Sequence, residues 1–240
     1  MFSIVKKEIN SFLDSLIAYI FIIAFLALTG LFVWVYADTN VLDYGFADLR
    51  SFFSLTPYLF LLLIPAITMR SFAEEFKSGT IELLFTKPLT DWQILLGKYF
   101  AALILVIVAL IPTFLYVYSV YQLGNPVGNI DMATVWGAYI GLLLLAAIFV
   151  AIGIFASSLT DNQVIAFVIA AAIGYVMYDG IHQLAQLFNG QTQFFIDYLG
   201  LSFHYESLGR GLVDTRNVIY LLSITFLLLL VTKINIKRKL

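Results

Sequence analysis

The sequence contains no cysteine and only two histidines, His182 and His204. The first absence excludes a disulfide framework and a thiolate metal site. The second argues against a histidine-based metal cluster, and no zinc-ligand spacing occurs. Charge is scarce too: 12% of the 240 residues are Asp, Glu, Lys or Arg, and the net charge is −2. So small a net charge carries no signal for nucleic acid, and no nucleic-acid partner is expected. Nucleotide and hydrolase motifs are missing as well. Gly97-Lys98 is followed by Tyr99, and Trp92 stands where a phosphate-binding G-x-x-x-x-G-K loop needs glycine. No G-x-S-x-G is present. The chain is therefore not expected to be an enzyme or to hold a cofactor of its own.

What the sequence has in abundance is apolar surface. Hydrophobic residues make up 62% of it, and the mean hydropathy is +0.97. A membrane helix needs about 20 mostly apolar residues. Six such runs are present, at about 15–37, 51–69, 99–123, 132–158, 162–188 and 217–232. The last is short, but Arg216 and Lys233 can snorkel from its ends. The first is too long for a signal-peptide core and lacks a small-x-small cleavage site, so it reads as a retained anchor. The expected fold is all-α and integral to a membrane, one transmembrane domain over residues 1–240.

Basic residues accumulate on the cytoplasmic side of a membrane protein. Lys6 and Lys7, then Arg70, Lys77, Lys87 and Lys98, then Lys233, Lys237, Arg238 and Lys239 all fall on one face of a six-span topology. Arg50, Arg210 and Arg216 fall on the other, among seven carboxylates. Both termini and the loop 70–98 are therefore expected in the cytoplasm.

That loop concentrates the charge of an otherwise oily chain. Glu74, Glu75, Lys77, Glu82, Lys87 and Asp91 lie within SFAEEFKSGTIELLFTKPLTD, residues 71–91. Ser71-x-x-Glu74 fits a capping box, and Gly79 supplies a stop. Thr80 is placed to cap a second short helix over 81–86, which Pro88 ends. Thr90-x-x-Gln93 is another capping box, with Asp91 in the first turn. A stiff, punctuated protrusion of this kind suits docking to another protein. The N-terminal residues 2–17 form an amphipathic pattern, with Phe2, Val5, Ile9, Phe12, Leu13 and Leu16 apart from Lys6, Lys7, Asn10 and Asp14.

The stretch EEFKSGTIELLFTKPLTDWQILLGKY resembles the cytoplasmic loop of ABC-2-type transporter permeases through Glu74, Glu75, Gly79, Thr80, Glu82, Leu83, Leu84, Pro88, Gly97 and Lys98. Leu199–Ser223 further resembles the gliding-motility-associated permeases of the GldF type. The resemblance implies an ABC-2 permease fold of the type V exporter kind. Such a fold has an N-terminal amphipathic helix, a coupling helix and an outward re-entrant segment. It implies a separate ABC ATPase subunit that carries ATP and Mg, and a second permease subunit as homodimer or heterodimer. A further membrane subunit is implied for a gliding-type complex, all in a bacterial inner membrane. ATPase coupling is then expected at Glu74, Glu75, Gly79, Thr80, Glu82, Leu83, Leu84 and Pro88.

Other residues carry weaker signals. Pro65 and Pro112 should bend their spans. Gly137-x-x-x-Gly141 and Ala166-x-x-x-Ala170-x-x-x-Gly174 are small-residue faces that allow close helix approach. Asp179 is the one acid inside a span, with His182 three residues on and able to pair with it. The half-apolar segment 189–216 reads as one or two short helices on the outer side. Asp179, His182, His204 and Arg210 are the candidates for an outer-side or gating role. Gly200-Leu-Ser202-Phe203 departs from the Gly-x-Ser-Gly of intramembrane serine proteases at its last position. Two alternatives to an exporter subunit stand beside it: a proton-coupled carrier centred on Asp179, and a membrane scaffold that recruits cytoplasmic partners.

Overall fold

The computed structural model describes residues 2–43, 46–85, 89–211 and 213–239, with the side chains of residues 83–85 also outside the description. Every regular element among the described residues is helical, and six helical stretches are long and apolar enough to cross a membrane. Helix α1 (Phe2–Asp14) precedes the first crossing, α2 (Leu16–Trp34). The second crossing is α3 (Arg50–Thr68), prolonged by α4 (Arg70–Ser78); the short α5 (Thr80–Phe85) follows. The third is α6 (Asp91–Leu110), a 3₁₀ turn at Ile111–Thr113, and α7 (Phe114–Leu123). Pro112 sits in that turn, where the lost amide donor breaks the regular ladder. Pro65, in contrast, lies inside a continuous α3.

Helix α8 (Met132–Leu159) is the fourth crossing and the centre of the bundle. It has no polar face, and 78% of its most apolar window is buried. Around it pack α3, α6, α9 (Gln163–Tyr175), α12 (Leu201–Gly209) and α13 (Thr215–Lys239). Small residues set these distances. A Cβ at Gly137 would overlap Leu208 O, and one at Gly174 would lie 2.8 Å from Leu61 Cδ2. Both small-residue faces are thus spent on packing within the chain. The fifth crossing continues from α9 through a π-helical turn, Val176–Gly180, into α10 (Ile181–Ala185). Helix α11 (Gln191–Asp197) and α12 fill the connection to α13, matching the short helices expected there.

Crossings α2 and α9–α10 pack on this core by one side only. Only 28% and 22% of their apolar windows are buried. Ile20 and Ile23 on α2, and Val164 and Val168 on α9, are exposed.

The bundle has two distinct ends. One, the basal end, gathers α1, α4, α5, the start of α6 and the last turns of α13, so the first and last described helices both reach it. The other, the distal end, gathers the starts of α3 and α8 with α10, α11 and α12.

Candidate functional site

Backbone continuity builds the charged knuckle at the basal end. Met69 keeps helical angles, φ −55° and ψ −27°, so α4 runs on from α3 almost without a break. Ser71 is therefore buried inside a helix instead of capping one, and the box expected with Glu74 does not form. A cap needs extended backbone, which Met69 does not adopt. The cap comes instead from across the bundle. Ser157 Oγ on α8 accepts from the amides of Phe72 (2.8 Å) and Ala73 (3.0 Å) and donates to Met69 O (3.1 Å).

Gly79 ends α4 in the left-handed region at φ 69°, as its position predicted. Ser78 Oγ donates to Glu74 O (2.8 Å) and also meets Thr80 Oγ1 at 2.8 Å. Thr80 is itself the first residue of α5, not its cap. Glu74, Gly79, Thr80 and Glu82 are exposed, and Glu75 is half-buried. Leu83 and Leu84 lie in α5 by backbone, but their side chains are outside the described residues, as is Pro88 entirely. The Thr90 capping box forms as read: the Gln93 amide donates to Thr90 Oγ1 (3.3 Å), and the Thr90 amide to Gln93 Oε1 (3.1 Å).

Lys98 ties these parts together. Its side chain is 2% exposed, on α6 between buried Leu95 and Ala102. Nζ donates to Glu75 Oε1 on α4 (2.7 Å) and to Glu8 Oε1 on α1 (3.1 Å), and lies 5.2 Å from the Phe72 ring centre. Three helices meet on one buried ammonium. Next to it, a Cβ at Gly97 would sit 2.6 Å from Ile4 Cγ2, so α1 rests on α6 where a side chain is missing. Glu75 Oε2 is fully buried and takes no hydrogen bond among the described residues. A buried carboxylate oxygen left so costs free energy. A cleft of about 370 Å³ opens beside the network, lined by Glu8, Arg70, Glu74, Glu75, Thr80 and Lys98. The last turns of α13 close the other flank: Asn235 Nδ2 donates to Ser158 O (2.9 Å), and Lys239 Nζ donates to Leu159 O (2.7 Å) over the Phe76 ring.

Sequence reasoning placed Glu74, Glu75, Gly79 and Thr80 in this site. It missed Glu8 and Ser157 and saw Lys98 only as part of a motif. A lysine entering an apolar run directly after glycine was the available signal.

The distal candidates do not form one site. Asp179 lies in the π-helical turn and accepts from Gln183 Nε2 at 3.4 Å. His182 does not pair with it; His182 Nδ1 is 2.7 Å from Asp197 Oδ1 on α11. The wider turn carries Asp179 off the face that an unbroken α-helix would share with His182. His204 is fully buried, its Nε2 donating to Tyr198 O (2.8 Å) and its Nδ1 2.7 Å from Asn217 Oδ1. Ser202 Oγ is buried and makes no hydrogen bond among the described residues, so no Ser202–His204 nucleophile pair exists. Arg210 is exposed at a separate cleft of about 420 Å³, lined also by Arg50, Phe53, Asp131, Tyr205 and Glu206. Burial pushes the Tyr205 phenol up, and its hydroxyl donates to Phe53 O (2.7 Å).

A family model described as ABC-2 family transporter protein matches residues 39–178. That span is more than half of the chain and carries α3 to α9 with the whole knuckle and Lys98; α1 and α13 lie outside it. No curated protein matches the chain. Members of this family are membrane transport components that generally lack an ATPase site of their own and normally work with an ABC ATPase subunit. With its six membrane-crossing helices, the chain belongs to the ABC-2 family of transporter permeases.

Proposed function

We propose that this permease couples ATP hydrolysis on a separate subunit to export, with the α4–Gly79–α5 knuckle as the docking element. ATP and Mg belong to that partner. The observation that carries the reading is the Lys98 network, which fixes α4 to α1 and α6 through a buried cation. A coupling element must be stiff, because a ligand or subunit shifts a conformational equilibrium only by its differential interaction with the two states. A mobile knuckle would lose that difference locally. Exposed Glu74, Gly79, Thr80 and Glu82 form the docking set with half-buried Glu75, and the unpartnered Glu75 Oε2 suits a donor brought by the partner. Leu83, Leu84 and Pro88 complete the set by resemblance. The thinly covered α2 and α9 faces suit pairing with a second permease subunit, identical or homologous. The basic residues of the basal end support a cytoplasmic location for both termini in a bacterial inner membrane. The likeness of Leu199–Ser223 to gliding-motility permeases supports that pathway, with a further membrane subunit.

Nothing in the distal geometry favours a proton-coupled carrier. Asp179 lies beside Tyr58 and accepts from Gln183 at 3.4 Å, and His182 is engaged by Asp197 instead. Affinity purification from native membranes tests the docking reading. The parent chain is expected to retain an ABC ATPase, and Glu74→Lys with Glu82→Lys to lose at least tenfold of it while keeping its helical spectrum. Equal ATPase recovery by parent and variant would sink the docking proposal; stimulation of the ATPase by a transported substrate in the reconstituted complex would separate an exporter from a scaffold that recruits partners through the same loop.

A further inference from the structure

A second feature of the basal end lies on α13, beside the start of α6 and Phe72 of α4. Helix α13 buries Asn217, Leu221, Thr225, Leu228, Thr232 and Ile236 against the bundle. On its other side Ile219, Leu222 and Phe226 are exposed, with Leu230 half-buried below them. At three- and four-residue steps this stripe continues into Lys233 and Lys237. Lys233 lies about 27 Å along the axis from Thr215, at ~1.5 Å per residue, close to the ~30 Å thickness of a hydrocarbon core. The stripe therefore turns from apolar to basic at the depth where lipid phosphates begin.

The turn is built, not only composed. Lys233 Nζ lies 4.9 Å from the Trp92 ring centre, and Trp92 stacks on Phe226 at 6.3 Å with an interplanar angle of 7°. Lys233 and Lys237 line a small cleft with Phe72, Asp91, Ile94 and Ile236. Neither lysine makes an ion pair among the described residues, whereas Lys239 is turned inward to Leu159 O. Asp91 is the single carboxylate in the cleft, so two cations face one anion there.

We infer that this groove holds an anionic phospholipid of the adjoining leaflet, its phosphate between Lys233 and Lys237 and one acyl chain along Phe226, Leu222 and Ile219. Interfacial Trp92 covers the glycerol level. Basic side chains at a membrane surface favour anionic headgroups, and an apolar strip continuous with them distinguishes a lipid from a free phosphate. The inference rests on the chain crossing a membrane and is independent of the ATPase reading.

Trp92 reports directly on the site. The full chain with Trp34→Phe and Trp136→Phe, leaving Trp92 as its one tryptophan, is reconstituted into vesicles. Phosphatidylglycerol or phosphatidylcholine bearing brominated acyl chains is then titrated in. Phosphatidylglycerol is expected to quench Trp92 at roughly fivefold lower mole fraction. Lys233→Gln with Lys237→Gln should erase that preference, and Asp91→Asn should enlarge it without touching either lysine. Equal quenching by both headgroups in the parent overturns the inference, as does a preference unchanged in the lysine variant. Absence of quenching by either lipid also overturns it, because the face is then covered by protein.

Discussion

The two ends of this bundle are both locked by buried polar side chains, but with different chemistry. At the basal end a lysine ammonium holds two carboxylates from two other helices. At the distal end the locks are hydrogen bonds of His204, Asn217, Ser207 and Tyr205, with one half-exposed His182–Asp197 contact. Ionic contacts hold over longer distances and weaken more gradually than hydrogen bonds between neutral groups, whose strength falls steeply with angle. The knuckle is thus tied to α1 and α6 by charge as well as by hydrogen-bond geometry. In both places the partners lie far apart in sequence: Glu8 and Lys98, or Tyr205 and Phe53.

The largest expected effect comes from breaking the ionic lock. Lys98→Met leaves Glu8 and Glu75 without their buried cation, Glu8 keeping only the exposed Lys7 at 3.7 Å, and should lower stability by about 3–5 kcal/mol. Thermal unfolding in detergent measures this, and amide exchange should show α1 and α4 opening first. Adding Glu8→Gln and Glu75→Gln should recover most of the loss. A triple variant no better than Lys98→Met would show that packing, not charge, holds the three helices. Intermediate effects come from single neutral locks. Ser157→Ala strips the cap from α4, and Tyr205→Phe strips the bond to Phe53 O; each should cost about 1–2 kcal/mol. The contrast lies in location: Ser157→Ala should raise exchange in α4 alone, and Tyr205→Phe in α3 and α12.

The smallest effect should come from Asp131, which caps α8 through the amides of Ala133 and Thr134 and the Thr134 hydroxyl. The Thr134 side-chain bond, followed by its amide, holds this exposed carboxyl below its ordinary value of 3.8. Its folded value is depressed, so its contribution is present above that ordinary value and is lost as the pH falls further. Asp131→Ala should therefore shift the unfolding midpoint slightly at pH 7 and less as the pH falls below the ordinary carboxyl value, whereas a shift independent of pH would assign the effect to the neutral cap bonds and not to the charge.

Much of this architecture could be read directly from the amino acids. Uncharged runs give six crossings because unsatisfied backbone groups and charges are expensive in hydrocarbon. Gly79 gives a left-handed stop because only glycine enters that region without strain, and Thr90 with Gln93 gives a cap from local bonding. All of these are determined within a few residues of chain. Ser71 failed as a cap for a reason no local pattern contains: α3 continues through Met69, and Ser157, 88 positions away from Met69, supplies the bonds. The same holds for Lys98, whose meaning depends on Glu8 arriving from α1, and for His182, which a π-helical turn and α11 hand to Asp197 instead of Asp179. Sequence determined where the chain is oily, where it turns and where its charge gathers. Only the tertiary structure decided which buried charges meet, because that choice depends on the approach of helices distant in sequence, set by small residues such as Gly97 and Gly137 at their crossings.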